Sequence, residues 1–494
     1  MRSLRLIGAL CVPVALAACG VTRPPASVTA PVPAQWHAAA PDALPHAGSL
    51  PSLSGWWREQ GDALLAELIE AAQAVSPNVA SAAARIAEAR AARAQAGAAL
   101  APSLDGSLSA SRSNSPTSGF GGAGATGSGS GGVAMPALTT LQAGLQSSWE
   151  IDLFGGLRAS RDAAQSNLEA ADAKWHDARV SVAAETANLY AAERACTRQL
   201  AVAESDTHSR AETARLTDLS ARAGFTAPAD AALARASASD ASARLVQQRA
   251  QCAILRKGLV ALSGLDEREL EARLAAQPEN LPLAALPAVA RVPAQALAQR
   301  PDVYAAERAV AAASGEAGAA QAQRYPRLSL QGSVGRVQVR TSGLRETLDT
   351  WTIGPLALTV PIFDNGARAA NAEAAQARYD EAVALYRASA RHAVREVEEA
   401  LVNLQSTDAR AGDADDAVRN YQASFDATQA RYDSGLASLF ELEDARRTLF
   451  AAQTARVALQ RERAEAWVAL YRSVGGGWSR PDNLTSLPTT STSP

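Results

Sequence analysis

Hydrophobic and polar residues alternate with a period of two over residues 141–153. Successive side chains of a β-strand point to opposite faces, so this pattern predicts a strand with one apolar and one polar face. Weaker alternation occurs over residues 104–111, over 328–334, where the phase slips near Gly335, and over 351–361. The sequence therefore predicts two pairs of strands.

Each pair of predicted strands is followed by a very long alanine-rich segment. Helices are expected over residues 157–221 and 367–433, each spanning roughly 100 Å at about 1.5 Å per residue. Shorter returning helices are expected over about 228–263 and 437–473, after glycine-containing turns. Helices of this length pack as coiled coils or bundles, so we predict two helical hairpins.

The two halves of the chain have matching spacings. Gly156 lies 68 residues before the turn residue Gly224, and Gly366 lies 69 residues before Gly435. Matched spacing over so long a stretch predicts an internal duplication. The expected divisions are a lipoprotein signal peptide (1–18), a lipidated tether (19–52), an N-terminal helical segment (53–101), a first β-hairpin (102–154), a first long helical hairpin (155–275), a linker (276–300), a helix that opens the second repeat (301–325), a second β-hairpin (326–363), a second long helical hairpin (364–475) and a C-terminal tail (476–494).

The N-terminus has the pattern of a secretory signal. A basic start is followed by a short apolar run over residues 6–17, which ends in Leu16-Ala17-Ala18-Cys19. The run is too short to cross a membrane, and its end resembles a lipobox, in which Cys19 is acylated. Gly20 follows in place of the Asp that retains lipoproteins in the inner membrane. The expected location is the outer membrane, where one lipidated residue is a weak tether.

Charge and hydropathy exclude two classes of protein. Loss of residues 1–18, which hold two Arg and no acid, would take the formal charge from −3 to −5, so we predict no nucleic-acid partner. After the signal, no apolar run reaches the length of a spanning helix. Contact with outer-membrane lipid is therefore assigned to the strands, whose length and alternation are typical of a membrane barrel.

Four strands are too few to close a barrel, and lipid does not tolerate open sheet edges. Two copies of the chain would supply eight strands, with an interior filled by side chains. Three copies would supply twelve, enough for a lumen. The predicted fold is thus an α+β membrane protein, a homotrimer in which a twelve-strand transmembrane β-barrel is continued by a periplasmic α-helical barrel.

Two cysteines, Cys196 and Cys252, lie on the two arms of the predicted first hairpin. Gly224 is midway between Cys196 and Cys252, so the two residues are expected at the same height. The oxidising periplasm favours a disulfide there. Packed helices are usually about 8–10 Å apart, however, whereas a disulfide needs Cα atoms nearer about 5.5 Å, so the pairing stays open.

Several motifs resemble the TolC-like outer-membrane factor family, in its lipoprotein branch, which is paired with efflux pumps of the resistance-nodulation-division type. They are Gln299-Arg300-Pro301-Asp302-Val303, Tyr325-Pro326-Arg327-Leu328, Pro361-Ile362-Phe363-Asp364-Asn365-Gly366 and Leu470 to Trp478. The resemblance covers nearly the whole mature chain. It implies a passive exit channel for drugs or metals, with a periplasmic adaptor (membrane fusion) protein and an inner-membrane efflux pump as partners.

The same resemblance assigns roles to the hairpin turns. Glycine permits the tight reversal of the chain, and the family's turns contact the adaptor. The second turn matches the family pattern better than the first, where Ser220 occupies the position of Arg431. The candidate contact residues are Gly224, Phe225, Thr226, Arg431, Gly435, Leu436 and Ala437.

A gate is also implied by the resemblance. Inward-facing acids narrow the closed pore in this family, and Asp426 matches one such position. Gln429 replaces a second acid, which would weaken a ring that binds cations. Asp413, Asp415 and Asp416 are more simply explained as a solvated face of the helix.

No motif indicates an enzyme. The five His residues are scattered without metal-ligand spacing, and no Gly-x-Ser-x-Gly elbow or P-loop occurs, so neither a cofactor nor a metal is expected. The expected function is the outer-membrane duct of an efflux system. The alternatives are the duct of a protein-secretion system and a lipid-anchored structural coiled-coil protein of the envelope.

Overall fold

The computed structural model describes residues 21–33, 36, 57, 62–114, 137–276, 297–341, 343–478 and 480. The chain divides into two compact units. One unit comprises the N-terminal residues up to Val28 with Ala87–Glu169 and Arg308–Val383. The other comprises Thr29–Ile86, Ala170–Glu307 and Ala384–Pro494.

Helices dominate the described residues. The two longest have 67 residues each. Among the described residues, no helix combines the length and the apolar composition that a membrane crossing needs. The helices are α1 (Ala63–Val75), α2 (Pro77–Ala98), α3 (Gly156–Arg222), α4 (Pro228–Ser263), α5 (Glu267–Ala276), α6 (Pro301–Ala322), α7 (Ala367–Asp433) and α8 (Leu439–Ser473).

The strands form one antiparallel sheet of four in the order β1-β2-β3-β4. Pairing is continuous between β1 and β2 and between β2 and β3. Strands β1 and β4 are the edges of the sheet, and each has only one partner within the described residues. The strands are β1 (Ser103–Ser113), β2 (Leu138–Ile151), β3 (Arg327–Thr341) and β4 (Leu344–Thr359).

One detail of the strand prediction, the start of β4, was wrong. The phase slip near Gly335 is a change in the face that carries the apolar residues, from Val334 on one face to Val337 and Val339 on the other, while Gly335 pairs in register with Gly144 and Thr350. The register shift lies instead between Leu330 and Gly332. Strand β4 begins at Leu344 rather than at residue 351, because its first residues are polar on one face and mix Leu344 and Leu348 with Glu346 on the other, which leaves a weak period-two signal although they pair with β3.

Close helix contacts explain the abundance of alanine and glycine. Gly315 of α6 has no room for a side chain, because an added Cβ would lie 2.7 Å from the carbonyl oxygen of Ala159 in α3. The neighbouring buried positions of α3 are Ala159 and Ala163. Small residues at these positions let the two helices approach along their backbones.

The motif around Arg300 is a buried structural joint. Helix α6 begins at Pro301, as predicted, with Asp302 in its first turn. The Arg300 guanidinium is 2.7 Å from both Asp302 and Glu396, and it also donates to the carbonyl oxygen of Ser473 at 2.9 Å. Burial works against the charge of Asp302, but Arg300 outweighs it and holds the pKa of that carboxyl below its ordinary value.

A second buried polar contact fixes the start of α1. Asp62 caps the helix by accepting from the backbone N–H of Leu65 at 3.1 Å. Its other oxygen accepts a hydrogen bond from the Tyr190 hydroxyl at 2.5 Å. Burial raises the pKa of Tyr190, and Asp62 raises it further, so the hydroxyl remains a donor.

The residues that follow the predicted lipidation site are extended, but they pack on the helices. The carbonyl oxygen of Pro24 accepts from the Ser314 hydroxyl at 2.5 Å, and that of Pro25 accepts from the Tyr379 hydroxyl at 2.9 Å. Arg23 forms an ion pair with Asp162 at 3.2 Å. The predicted tether is therefore held along residues 21–33, while Cys19 itself lies outside the described residues.

Cys196 and Cys252 are bonded to each other across the first hairpin. Their Cα atoms are 5.5 Å apart, so α3 and α4 approach more closely here than packed helices usually do. Both side chains are buried. The bond closes a loop with a sequence separation of 56 residues.

We expect a non-reducing peptide map of the mature protein to recover Cys196 and Cys252 in one linked peptide pair. The chain-entropy relation gives about 4 kcal/mol for a loop of this length, so the Cys196→Ala and Cys252→Ala double variant should unfold at lower temperature. Reduced wild-type protein is the matched control. Free thiols at both positions under oxidising conditions would contradict the pairing.

Candidate functional site at the helical turns

The turn after α3 has Gly224 in the left-handed conformation, at φ 83°. Its N–H donates to the carbonyl oxygen of Ala221 at 3.0 Å, and the N–H of Phe225 donates to that of Ser220 at 2.9 Å. This pair of bonds is a Schellman motif, which satisfies carbonyl groups that the helix end leaves open.

The turn after α7 repeats the same geometry. Gly435 has φ 73°, and its N–H donates to the carbonyl oxygen of Tyr432 at 2.9 Å. The N–H of Leu436 donates to that of Arg431 at 2.7 Å. The internal duplication therefore extends to single hydrogen bonds at both turns.

The side chains at the equivalent positions Ser220 and Arg431 both bind across their turns. The Ser220 and Thr226 hydroxyl groups are 2.5 Å apart. The Arg431 guanidinium donates to the carbonyl oxygen of Leu436 at 3.2 Å and lies 4.0 Å from Glu441. Ser220 and Arg431 therefore both contact a residue across their own turn, although their side chains differ in length and charge.

The returning helices start differently. Helix α4 begins with Pro228 and has no side-chain cap at Ala227. Helix α8 begins at Leu439, two residues later than predicted, because Ser438 caps it in a reciprocal capping box with Glu441. Hydrogen bonds from Ser438 hold the pKa of the Glu441 carboxyl below its ordinary value.

Large apolar side chains stand exposed at both turns. Phe225 is 87% exposed, Leu436 is 72% exposed and Phe440 is 74% exposed. Sequence analysis missed Phe440. Its signal is the helical phase of α8, whose buried positions Leu439 and Leu442 exclude the residue between them from the packed face.

A buried charged cluster, also missed by sequence analysis, joins the two hairpins. It comprises Asp206 and Arg210 of α3 with Glu443 and Arg446 of α8. Arg210 donates to Asp206 at 2.9 Å and contacts Glu443, which also pairs with Arg446. Burial lowers the pKa of Arg446, and Glu443 offsets part of that effect. The cluster fixes α8 against α3.

The predicted gate residues lie on one stripe of α7. The side chain of Asp426 is exposed and accepts a hydrogen bond from Gln422 at 2.8 Å. Gln429 donates to Asp433 at 2.8 Å. These four positions follow helical spacing, so the carboxylates point to one side of α7 close to its C-terminal turn. The other acids, Asp413, Asp415 and Asp416, are exposed.

The described residues contain no group of three or more His, Cys, Asp or Glu side chains arranged to hold a metal ion. The exposed turns and the acidic stripe are the candidate contact regions of the helical hairpins. The turns offer apolar contact, and the stripe offers negative charge.

Comparison with known proteins places these features in one family. A family model described as "Outer membrane efflux protein" matches residues 68–265 and 292–476. The chain is 31% identical over 468 residues to the pyoverdine export outer membrane protein OpmQ of Pseudomonas putida, covering 94% of this chain and 95% of that protein. It is 32% identical over 346 residues to the toluene efflux pump outer membrane protein TtgI of Pseudomonas putida, covering 69% and 72%.

A solved structure shows the same fold. The outer-membrane channel OprN superimposes with a TM-score of 0.79 at 27% sequence identity, covering 92% of this chain and 99% of that one. The prediction of the family from the sequence motifs is confirmed. The chain belongs to the outer membrane efflux protein family, and it is an outer-membrane channel component of an efflux system.

Proposed function

We propose that three copies of the chain form the exit duct of a tripartite efflux system. The duct receives small molecules from an inner-membrane pump through a periplasmic adaptor and passes them outward without catalysis. The observation that carries this proposal is the sheet, whose edge strands β1 and β4 each have one free side within the described residues.

Those free sides require partners in a membrane. An unpaired backbone N–H or C=O group costs several kcal/mol in hydrocarbon, so β1 of one copy must pair with β4 of another. Three copies close a barrel of twelve strands with a lumen, whereas two would close one of eight with a filled interior. The apolar face carries exposed residues such as Leu108, Trp351 and Ile353 and faces lipid, and the polar face lines the lumen.

The helical turns form the adaptor contact in this proposal. Phe225 and Leu436 are exposed at equivalent positions, so three copies present six apolar knobs. Exposed apolar groups of this kind mark interaction sites. The capping bonds around Gly224 and Gly435 hold the knobs in fixed positions, which lowers the entropy cost of binding. Thr226 and Ala437, both half-buried, complete the turns.

Asp426 forms the gate in this proposal. Three symmetry-related carboxylates close to one axis repel one another and attract cations. Gln429, one turn later, adds no charge, so Asp433 supplies the next carboxylate on this stripe.

The substrate is set by the pump rather than by the duct. The relatives reported above include a pyoverdine exporter and a toluene efflux component, and pyoverdine and toluene differ in polarity and size. Cys19 anchors the chain to the outer membrane by its acyl groups, and residues 21–33 fasten that anchor to the helices.

We expect the detergent-solubilised mature protein to have the mass of three chains after correction for bound detergent. Light scattering combined with size-exclusion chromatography measures this mass. A monomer that resists mild cross-linking in the membrane would contradict the barrel.

Replacing both apolar knobs with acids should weaken adaptor binding. We expect the Phe225→Asp and Leu436→Asp double variant to reduce cross-linking to the co-expressed periplasmic adaptor by about tenfold or more, since exposed apolar anchors dominate interfaces. Val246→Asp is the control, because Val246 is 63% exposed on α4 away from both turns. Equal cross-linking of the double variant and the control would exclude the turns as the contact.

Removing the gate carboxylate should relieve block by divalent cations. We expect Asp426→Asn to raise several-fold the Mg²⁺ concentration that halves the single-channel current in planar bilayers. Asp416→Asn is the control, since Asp416 pairs with Arg419 on the exposed face of the same helix. An unchanged Mg²⁺ response in Asp426→Asn would remove Asp426 from the gate.

A further inference from the structure

A row of arginines crosses the sheet near one of its ends. Arg112 of β1 is opposite Thr139 of β2, Thr139 is opposite Arg340 of β3, and Arg340 is opposite Arg345 of β4. Residues directly opposite one another in an antiparallel sheet share a face. All three guanidinium groups therefore emerge on the same face of the sheet, and all three side chains are exposed.

Toward the helix-connected end that face is the apolar one, whereas next to the row β3 and β4 carry Gln338, Arg336, Thr347 and Asp349 on it. Counting in steps of two from Thr139 along β2 gives Leu141, Ala143 and Leu145, and the same parity on β3 gives Val334 opposite Leu145. The arginine row thus continues the lipid-facing surface of the proposed barrel rather than its lumen. The inference that follows rests on that proposed barrel.

The row lies at the end of the sheet that the helices do not join. Strands β2 and β4 lead into α3 and α7 at one end, and β3 and β4 are joined at the other through Gly343. With the helices in the periplasm, the arginine row is at the extracellular rim. It is four residues beyond the Arg336 position, or about 13 Å along the strand. In the proposed barrel we assign this level to the headgroup region of the outer leaflet.

In the part of the chain that the structure describes, no acid forms an ion pair with the row. By contrast, Arg336, which is on the same face and closer to the helix-connected end, forms a bidentate pair with Asp349 at 2.6 and 3.0 Å. Arg340 donates to the side-chain oxygen of the neutral Gln338 at 3.1 and 2.8 Å. Residues 114–136, which connect β1 to β2 in sequence, contain no charged residue. Glu346 is one position beyond Arg345, so it emerges on the opposite face.

The juxtaposition of Arg340 and Arg345 is itself unfavourable. Like charges directly opposite on neighbouring strands destabilise a sheet. A phosphate group between them converts that repulsion into two charge-assisted hydrogen-bonded contacts, for which guanidinium is well shaped. The pair therefore has the chemistry of an anion-binding site.

An apolar depression lies on the same face, closer to the helix-connected end. It has a volume of about 770 Å³ and is lined by Leu108, Leu145, Val334 and Trp351, with the Arg336–Asp349 pair at its side. Glycines such as Gly106 and Gly144 form its floor. A surface that offers cations at the rim and an apolar hollow nearer the membrane centre matches a lipid with a phosphorylated headgroup and acyl chains.

We propose that Arg112, Arg340 and Arg345 bind the phosphate groups of an anionic glycolipid of the outer leaflet. The apolar depression receives an acyl chain of the same molecule. In the trimer three such rows surround the barrel and fix its height in the membrane.

The test uses the detergent-purified full chain, with bisphosphorylated lipid A as the probe and native mass spectrometry as the readout. We expect wild type to bind lipid A. The Arg112→Gln, Arg340→Gln and Arg345→Gln triple variant should bind it with an affinity lower by about tenfold or more, since each lost cation weakens the attraction to anionic lipid. Dephosphorylated lipid A should bind both proteins weakly.

The control variant combines Arg249→Gln, Lys257→Gln and Arg268→Gln, which removes three exposed cations from α4 and α5. It should bind lipid A as wild type does. If the arginine-row variant bound lipid A as tightly as wild type, the assignment of a lipid would be overturned. It would also be overturned if inorganic phosphate competed for the site as strongly as lipid A itself. The same spectra give the number of chains: trimers that keep lipid A in the variant overturn this inference alone, and particles that are not trimers overturn the barrel together with it.

Discussion

The free edges of the four-stranded sheet are the constraint on which the rest of the protein depends. Strands β1 and β4 each have a row of backbone groups without a partner in the described part of the chain. In water such edges are solvated, but in lipid each group costs several kcal/mol. An outer-membrane protein of this family cannot leave them open. In the proposed trimer, closure of the sheet is a consequence of backbone hydrogen bonding, before any side chain contributes specificity.

The helices of the proposed tube have a different requirement, which is close packing. The small residues along α3 and α6 allow the helices to approach closely, as at Gly315 and Ala159. Each long helix also needs a defined end, and a Schellman motif at Gly224 and Gly435 provides it. Because these motifs satisfy their own carbonyl groups, the exposed side chains of Phe225 and Leu436 remain available for a partner.

Elements that depend on local periodicity could be predicted from the sequence. Features that depend on contacts between distant residues could not. The alternation over residues 141–153 identified β2, and Gly224 and Gly435 identified the turns, because period and glycine are local signals. The first residues of β4 and the charged cluster were missed. Arg210 and Glu443 are ordinary charged residues in sequence, and only the packing of α3 against α8 makes them a buried pair. The arginine row was missed for the same reason, since it exists only through the register of all four strands.

The buried charged cluster also limits how the helical hairpins can move. If α8 separated from α3, the Arg210–Glu443 ion pair and the hydrogen bond from Arg446 to Thr213 would be lost, while Asp206 and Arg446 would still pair with Arg210 and Glu443 within their own helices. Breaking a buried ion pair costs as much as about 3–5 kcal/mol, more than thermal motion supplies. The two hairpins of one chain therefore move as a body near their turns, unless water reaches the cluster. Any opening of the turns must then be driven by a partner that binds the open arrangement more tightly, since a ligand shifts an equilibrium only by its difference in affinity for the two states. The proposed duct is passive, so it takes its energy for opening from the proteins that are proposed to dock on it.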